Sequence, residues 1–380
     1  MYIKYMIKNR QIETKINDFL KESGGKILFI WGPRRSGKTT LLEELSKKLK
    51  LKIYNFDLTN DSKKFMPDEF HLGRIARENK FILIDEVQNS PESSRALKIL
   101  VDVYKKRIIA TGSSELRQKA GKDFDTLTDR FKEIYCLPLS INEIVNFDDS
   151  ELQDGLEDKL QIFGAYPEIL LGNLSENEKI EKLEIITNTY VIKDVVNIYK
   201  LKDVDLAKKI LTKIALQIGN EVSLRELANS LDANVSTVSN YIEIFIKNYI
   251  LIPLPSFKTN ARRAVSENRK LYFFDLGIRN ALIKDFREIE LRPDAGGLWE
   301  NLVVIEFEKR KRINGLLQNH YFYREYGGKK VDFIIEDYKK NYTCIEIKKR
   351  KGKVKNIFPL LHKSKVITKD NFIEEFVLKI

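Results

Sequence analysis

The sequence predicts an α/β fold in which a parallel-sheet core is followed by two smaller domains. Residues 32–39, Gly-Pro-Arg-Arg-Ser-Gly-Lys-Thr, fit the phosphate-loop pattern G-x-x-x-x-G-K-[ST] between a β-prone apolar run and a stretch with leucines at helical spacing. A second apolar run, residues 81–84, ends in the paired acids Asp85 and Glu86. β-like and helical segments alternate from residue 26 to residue 114, which indicates parallel strands joined by helices.

The glycine loop contains the residue types that phosphate binding requires. Gly32 and Gly37 let the backbone curl so that its N–H groups point at phosphate oxygens, and the following helix adds its positive amino-terminal end. Lys38 can reach the β- and γ-phosphates, and the Thr39 hydroxyl can ligate Mg²⁺. We therefore predict that this loop binds ATP and Mg²⁺. The predicted nucleotide contacts are Gly32, Pro33, Arg34, Arg35, Ser36, Gly37, Lys38, Thr39 and Thr40.

The apolar run before Asp85 predicts a buried parallel strand that delivers carboxylates to its carboxyl end. We expect Asp85 to hold Mg²⁺ and Glu86 to polarise the attacking water. A third β-like run ends in hydroxyl residues. Ser113 is the predicted sensor of the γ-phosphate, with Thr111 and Ser114 as the alternatives.

Composition narrows the class of protein. Hydrophobic residues make up 43% of the chain and charged residues 32%, which is typical of a globular protein with a heavily charged surface. No apolar run approaches the roughly 18 residues of a membrane span, and charges interrupt the first ten residues, so we expect no membrane segment, no signal peptide and a cytoplasmic location. The two cysteines and three histidines are too scattered for a disulfide framework or a thiolate zinc site.

The net charge of +12 is concentrated near the carboxyl terminus. Residues 301–380 carry 19 Lys and Arg against 10 Asp and Glu, whereas residues 1–300 carry 48 against 45. This surplus predicts a polyanionic partner, most simply DNA or another nucleic acid. The alternative is a lysine-rich composition that only promotes solubility.

A set of short motifs extends over nearly the whole chain. In order they are Arg10, the glycine loop, Asp-Glu-Val-Gln at 85–88, Thr-Gly-Ser-Ser at 111–114, Leu-Thr-Asp-Arg ending at Arg130, Leu-Pro-Leu-Ser at 137–140 with Glu143, and Gly-Ala-Tyr-Pro-Glu at 164–168. Together they resemble the AAA+ superfamily ATPases of archaea and bacteria that carry a C-terminal domain of poorly defined function. The resemblance implies that Arg130 contacts the γ-phosphate as an arginine finger, in the same chain or from a neighbouring subunit of a homo-oligomer, or else braces its loop. The family usually has a glycine before that arginine and another where this chain has Ala165.

The 164–168 motif predicts a turn between two helices. Gly164 is expected to end the first helix, and Pro167 to begin the next one in its first turn. Glu168 then lies near a helix start, where the dipole stabilises an acid. These residue types favour a structural role.

Residues 206–270 predict a winged helix-turn-helix. Ser223 and Glu226 form a capping-box pattern at the start of one helix, and Ser236 begins a second helix with apolar residues at helical spacing. The second helix has few basic residues, whereas readers of DNA usually carry several. A bracket between domains and a DNA contact therefore both stay open.

The last predicted domain carries a candidate metal site. Asp332 lies at the start of one β-like run, and Glu346-Ile-Lys348 ends the next. Neighbouring strands would place Asp332 and Glu346 side by side as Mg²⁺ ligands, with Lys348 on the strand face of Glu346. Glu300, on the preceding predicted helix, is the candidate third acid. The pattern is similar to that of the PD-(D/E)xK nuclease fold.

The sequence thus predicts an ATPase that couples hydrolysis to a nuclease-like domain, which in turn binds nucleic acid or a protein partner. An ATP-gated, Mg²⁺-dependent DNA endonuclease and an ATP-switched DNA-binding regulator are the alternatives. The predicted domains are residues 1–145 (ATPase core), 146–205 (helical lid or connector), 206–270 (winged helix) and 271–380 (nuclease-like α/β domain).

Overall fold

A computed structural model describes the chain in several segments. They are residues 10–90, 92–113, 126–147, 153–195, 201, 203–258, 269–325, 328–350 and 357–377. The chain divides into two compact units, Met1–Pro138 and Leu139–Ile380, called here the first and the second unit. Over these described segments, no helix is both long and apolar enough to cross a membrane.

The first unit is a parallel sheet with helices between its strands. Its described strands are Lys26–Trp31 (β1), Ile53–Asn55 (β2), Phe81–Asp85 (β3), Arg107–Gly112 (β4) and Phe131–Tyr135 (β5). They lie in the order β2-β3-β4-β1-β5, and all neighbouring pairs are parallel. Its described helices are Glu13–Lys21 (α1), Lys38–Leu49 (α2), Thr59–Ser62 (α3), Glu69–Glu78 (α4) and Ser93–Asp102 (α5), with 3₁₀ turns at Lys63–Phe65 and Val87–Asn89. The prediction of a parallel-sheet α/β core is confirmed.

The inner strands of this sheet are continuous apolar runs in the sequence because their side chains are buried on both faces of the sheet. Every residue of β3 is buried, and β1 and β4 are buried after their first residue. The edge strand β5 is only partly buried. A parallel sheet covered by helices on both faces leaves its inner strands no polar side, so their sequences do not alternate.

The second unit contains helices, one antiparallel sheet and one mixed sheet. Its described helices are Ile141–Val145 (α6), Leu156–Phe163 (α7), Pro167–Leu170 (α8), Glu176–Ile186 (α9), Val204–Leu216 (α10), Leu224–Asn229 (α11), Val235–Lys247 (α12), Leu276–Ile283 (α13), Ala295–Asn314 (α14) and Lys369–Phe376 (α15), with a π-helical segment at Thr187–Asp194 and a 3₁₀ turn at Ile289–Leu291. Its described strands are Glu221–Val222 (β6), Leu251–Pro255 (β7), Arg269–Phe273 (β8), Gln318–Arg324 (β9), Lys330–Asp337 (β10), Tyr342–Ile347 (β11) and His362–Ile367 (β12).

The two sheets of the second unit differ in topology. The smaller sheet has the order β6-β8-β7 with antiparallel pairs; α10 precedes β6 in the chain, and α11 and α12 lie between β6 and β7. The larger sheet has the order β12-β11-β10-β9, in which only the β11–β12 pair is parallel. A cluster of buried apolar side chains extends from Phe163 to Leu282, and a smaller one surrounds Phe257 beside the larger sheet.

Residues 139–145, which the predicted ATPase core includes, pack with the second unit, and the predicted domain boundary at residue 145 stays a prediction. The Ile141 N–H donates to Glu306 Oε2 over 2.9 Å, and Lys309 donates to the Leu139 carbonyl over 2.7 Å. Glu306 and Lys309 also pair with each other at 2.8 Å, with side chains that are 2% and 1% exposed. These contacts with α14 tie the start of α6 to the second unit, so the first compact unit ends at Pro138.

The turn after α7 has the predicted structure. Gly164, at φ 73°, directly follows α7, and Pro167 is the first residue of α8. The Ala165 N–H donates to the buried Asp275 carboxylate over 2.7 Å, and burial raises the pKa of Asp275. The backbone of this turn therefore holds a buried acid in place.

Gly164→Ala is expected to destabilise the second unit by about 1–3 kcal/mol, because alanine tolerates positive φ poorly. In addition, a Cβ at this position would lie 2.1 Å from Asp275 Oδ1. Gly155→Ala is the matched control, since Gly155 has φ 58° but a Cβ there would meet no described atom within 4 Å. Urea unfolding compares the two variants. Equal losses of unfolding free energy would contradict the role given to the contact with Asp275.

Candidate nucleotide-binding site

Three neighbouring strands deliver the predicted nucleotide-site residues to one edge of the first unit's sheet. β1 ends at Trp31 and continues into the glycine loop, β3 ends at Asp85, and β4 lies between them and ends at Gly112. Because parallel strands end at the same edge, the loop, the acids and the hydroxyl residues converge there. This edge is the usual ligand position in open α/β sheets.

Lys38 lies inside the glycine loop. The loop turns through Arg35 at φ 62° and Gly37 at φ 98°, so that α2 begins at Lys38. The Lys38 ammonium donates to the carbonyl oxygens of Gly32 (2.9 Å) and Pro33 (2.8 Å), and the residue is 4% exposed. Burial lowers the pKa of Lys38, while the nearby Glu86 carboxylate opposes that shift. A cation is thus held in the loop, where phosphate oxygens require one.

The loop packs against the segment that follows β5. A Cβ at Gly32 would lie 1.9 Å from the Cys136 carbonyl oxygen, so only glycine fits there. The Cys136 thiol donates to the Ser36 carbonyl over 3.5 Å. The buried Arg10 guanidinium donates to the Leu137 carbonyl (2.6 Å) and to Cys136 Sγ (3.3 Å). Arg10 therefore supports the loop through this segment.

Asp85 and Thr39 form the predicted metal-binding pair. Thr39 Oγ1 donates to Asp85 Oδ2 over 3.0 Å, and the Thr111 hydroxyl donates to Asp85 Oδ1. Mg²⁺ takes oxygen ligands and commonly receives only one or two from the protein, with phosphates and water supplying the rest. A hydroxyl and a carboxylate beside a phosphate loop fit that requirement. Among the described residues, no group of three or more His, Cys, Asp and Glu side chains can hold a metal by itself.

Glu86 directly follows Asp85 in the chain, and Ser113 lies two residues after Thr111, which contacts Asp85. Glu86 has an uncommon left-handed conformation, at φ 52°, and its N–H donates to Thr111 Oγ1 over 3.3 Å. Its carboxylate accepts a hydrogen bond from the Gln88 amide. Ser113 is buried, and its hydroxyl has no hydrogen-bond partner in the described part of the chain. Thr111, one of the two predicted alternatives to Ser113, is thus the hydroxyl that contacts Asp85. Ser114, the other alternative, lies outside the described residues.

Arg130 lies near the opposite edge of the sheet. Its carbonyl accepts from the Ile27 N–H (2.9 Å) near the start of β1, and its guanidinium binds Asp102 at 2.7 and 3.0 Å. Because β1 runs from there towards the glycine loop, the structure does not bring Arg130 to the phosphate site of its own chain. Its contacts fit the alternative of bracing its loop. A contact from a neighbouring subunit stays a prediction.

The second unit brings three other predicted site residues together. Lys348, just after β11, donates to Asp332 Oδ2 on β10 over 3.1 Å and lies 2.9 Å from Glu346 Oε2. The two strands are antiparallel neighbours in which Phe333 pairs with Ile345. Asp332 and Glu346 are both buried, and Glu346 Oε1 has no hydrogen-bond partner within the described segments.

Asp332, Glu346 and Lys348 shift one another's pKa values. Burial raises the pKa of Asp332, but Lys330, the Ile347 N–H and Lys348 more than offset it, so the pKa lies below its ordinary value. Burial, together with the charge of Asp332, raises the pKa of Glu346 against the opposing effect of Lys348. Burial lowers the pKa of Lys348, yet the two acids raise it overall. The pKa of each of the three groups therefore depends on the other two.

Glu300, the candidate third acid, has other partners. Its carboxylate accepts from Lys270 over 2.6 Å and from the Tyr272 hydroxyl. Its neighbour Trp299 donates to the Lys348 carbonyl over 3.0 Å, so α14 lies beside the cluster. The described residues do not group Glu300 with Asp332 and Glu346 as a three-ligand metal site.

Three family models match separate parts of the chain. Residues 24–145 match an AAA domain. Residues 156–288 match a domain of unknown function, DUF8612, and residues 295–379 match another, DUF4143.

Relatives of the chain are distant. An uncharacterized protein of Methanocaldococcus jannaschii is 26% identical over 356 residues, which cover 87% of this chain and 76% of that protein. An uncharacterized protein of Haemophilus influenzae is 23% identical over 321 residues, covering 79% of this chain and 76% of that protein. A solved structure, the Walker-type ATPase of Pyrococcus abyssi, covers 73% of this chain and 96% of its own, at 14% identity and a TM-score of 0.46. That TM-score is too low to support a statement about this chain.

The family match and the geometry agree for the first unit. The AAA-domain match covers the glycine loop and all five described parallel strands, and the strand order places the loop beside Asp85 and Glu86. These are the parts with which P-loop ATPases bind their nucleotide. Residues 24–145 therefore match an AAA domain in sequence, and the glycine loop, the acids of β3 and the parallel sheet together have the arrangement of a P-loop nucleotide-binding core.

Proposed function

We propose that the first unit hydrolyses ATP in the presence of Mg²⁺. The observation that carries the proposal is the convergence of Lys38, the Thr39–Asp85 pair and Glu86 at one edge of the sheet. A phosphate cradle, a metal-binding pair and a base for water are the parts that phosphoryl transfer to water requires.

Each residue has a distinct role in this proposal. Lys38 exchanges its carbonyl partners for phosphate oxygens and neutralises their charge. Thr39 and Asp85 hold the Mg²⁺, which when bound neutralises charge that develops on the phosphates. Glu86 orients the attacking water and accepts its proton. Thr111 fixes the Asp85 carboxylate and the Glu86 N–H at the same time.

Release of inorganic phosphate from ATP by the full chain tests the proposal. We expect release in Mg²⁺ and none in excess EDTA, because the Thr39–Asp85 pair would have no metal to hold. A preparation of the Lys38→Ala variant serves as the control for contaminating ATPases. Equal release by this variant and by the wild-type chain would contradict the proposal.

We also propose that residues 206–270 form a winged helix that serves as a bracket between domains. Support comes from the element order α10, β6, α11, α12, β7, β8 and from the antiparallel three-stranded sheet. On α12, Glu243 binds Arg269 at 2.8 Å, which places an acid on the helix that would have to approach DNA. Duplex DNA affinity measured against salt concentration tests this role. A steep loss of affinity with salt, whose log–log slope falls by about one in Arg269→Ala, would favour a DNA contact instead.

Cleavage of nucleic acid by the second unit is the second candidate function. It is favoured by the position of Lys348 between Asp332 and Glu346, with a buried Glu346 oxygen that has no partner among the described residues. The two carboxylates are suitable Mg²⁺ ligands, and the metal when bound would activate a water for attack on a phosphodiester. Lys348 would stabilise negative charge on the phosphate.

Asp332→Asn is expected to reduce any Mg²⁺-dependent cleavage of DNA by at least about 10²-fold, because it removes one of the two carboxylates that would hold the metal. The matched control is Asp370→Asn, which changes an exposed acid of the same unit. Labelled single-stranded and duplex DNA should be incubated with and without ATP, so that gating by ATP is measured in the same assay. Cleavage that survives in Asp332→Asn belongs to a different protein or site, and absence of cleavage by the wild-type chain under any metal would remove this candidate.

A further inference from the structure

We infer that Gln88 is a positioning residue that holds the attacking water for ATP hydrolysis; this inference rests on the proposed ATPase function. Gln88 lies in the 3₁₀ turn Val87–Asn89, directly after the proposed base Glu86. It is only 8% exposed, although it is a polar residue in a short turn. Such burial requires an explanation, because glutamine is usually exposed.

The hydrogen bond to Glu86 fixes the orientation of the Gln88 amide. Gln88 Nε2 donates to Glu86 Oε2. An ionised carboxylate accepts hydrogen bonds only, so the NH₂ end of the amide must face it and the Oε1 end must face away. The pair therefore presents one carboxylate oxygen and one amide oxygen, both acceptors, from adjacent side chains.

The Oε1 end of Gln88 has an unmet acceptor. This atom is buried and accepts no hydrogen bond from any described residue. Buried polar atoms are nearly always paired with protein or water, so one without a protein partner points to a bound donor. Water is a donor that can serve two acceptors at once, which matches the pair formed by Gln88 Oε1 and the Glu86 carboxylate.

Packing places this acceptor at the edge of the sheet where the nucleotide site lies. A Cβ on Gly112 would lie 2.8 Å from Gln88 Oε1 and 2.8 Å from the Trp31 ring. Gly112 is the last residue of β4, which leads to the hydroxyl residue Ser113. Trp31 is the last residue of β1, which leads to the glycine loop. The absence of a side chain at Gly112 thus leaves the space that the Gln88 amide occupies.

The water held in this way has a defined part in the reaction. It donates one hydrogen to Gln88 Oε1 and the other to the Glu86 carboxylate, which leaves an oxygen lone pair for the γ-phosphorus. The bond from the water oxygen to the γ-phosphorus forms, and the bond from that phosphorus to the β–γ bridging oxygen breaks. ADP leaves with the electron pair, and Glu86 takes the proton of the water.

The alternative is that Gln88 only fills the space beside Gly112. Gln88→Met separates the two roles, because methionine keeps the length and the packing but cannot accept from a water. We expect kcat for ATP to fall by about 10²-fold, the usual effect of misplacing a reacting group, while KM and the unfolding temperature stay unchanged. Asn89→Ala, a change at an exposed neighbour in the same turn, is the control and should turn over at the wild-type rate.

Two phosphate mimics supply a readout that a space-filling role would not change. Aluminium fluoride bound with ADP imitates the transferring phosphoryl group together with the in-line water, whereas beryllium fluoride with ADP imitates bound ATP. Gln88→Met should bind the aluminium fluoride complex about 10²-fold more weakly and the beryllium fluoride complex as tightly as the wild type does.

The outcomes distinguish this inference from the function on which it rests. Wild-type turnover together with unchanged turnover in Gln88→Met would overturn the inference alone. Equal weakening of both fluoride complexes would also overturn it, since that result indicates a general loss of nucleotide binding. A wild-type chain that never releases phosphate would overturn the proposed function and the inference together.

Discussion

Replacing Glu86 with glutamine is expected to lower kcat for ATP by roughly 10²–10⁴-fold while the chain still binds ATP, because the variant loses the proposed base for the attacking water. The shape of the side chain is kept. The Glu86 N–H, which donates to Thr111, is also kept. Steady-state phosphate release gives kcat, and titration with a fluorescent ATP analogue gives the affinity.

Two further variants give this result its meaning. Lys38→Ala should lose both turnover and affinity, since it removes the cation of the glycine loop. Glu92→Gln changes an exposed acid a few residues after Glu86 and should behave as the wild type does. If Glu86→Gln turned over at the rate of Glu92→Gln, another group would have to be the base.

The sequence predicts those parts of the nucleotide site that are formed by residues close together in the chain. The glycine loop needs its glycines, Lys38 and Thr39 within one turn of chain. The acids of β3 directly follow an apolar strand that is buried throughout. In both cases the local pattern specifies the local structure, and the parallel sheet then brings the two patterns to one edge.

Contacts that depend on distant parts of the chain could not be read in this way. Whether Thr111 or Ser113 meets Asp85 depends on how far β4 extends beside β3, and a strand pattern does not fix that length. Gln88 gave no separate signal because a lone glutamine in a turn is usually solvated. The role of Arg10 depends on Leu137, more than a hundred residues later in the chain.

In the second unit, too, the sequence predicts contacts between neighbouring strands better than contacts that depend on packing. The Glu-x-Lys pattern predicts that Asp332, Glu346 and Lys348 lie together, because their spacing follows from the geometry of neighbouring strands, and in the structure Lys348 contacts both acids. Glu300 lies on a helix, so its direction depends on packing. In the structure, the buried Lys270 and the Tyr272 hydroxyl, both on β8, donate hydrogen bonds to the Glu300 carboxylate.

The first compact unit ends at Pro138, before the predicted end of the ATPase core at residue 145, which stays a prediction. The Glu306–Lys309 pair of α14 binds the backbone of Leu139 and Ile141, which joins this segment to the second unit. Nothing local to 139–145 indicates these partners. A buried ion pair of this kind has a large and measurable consequence for stability.

Glu306→Leu is expected to destabilise the second unit by about 3–5 kcal/mol, because it leaves the Lys309 ammonium buried without its counter-charge. The Ile141 N–H also loses its acceptor, which adds to the loss. Adding Lys309→Met should recover part of the stability, since the double variant no longer buries an unpaired charge. Urea unfolding of each variant, with hydrogen exchange of α14 to assign the transition, gives the free energies.

An exposed ion pair in the same chain serves as the control for the charge change itself. Arg74 and Glu78 lie 2.9 Å apart on α4, with side chains that are 67% and 52% exposed. Because water and salt screen such a pair, Glu78→Leu should leave stability nearly unchanged. If Glu306→Leu behaved like Glu78→Leu, the Glu306–Lys309 pair would not be what holds residues 139–145 in the second unit. If the double variant were less stable than Glu306→Leu, the hydrogen bond from Lys309 to the Leu139 carbonyl would contribute more than the ion pair does.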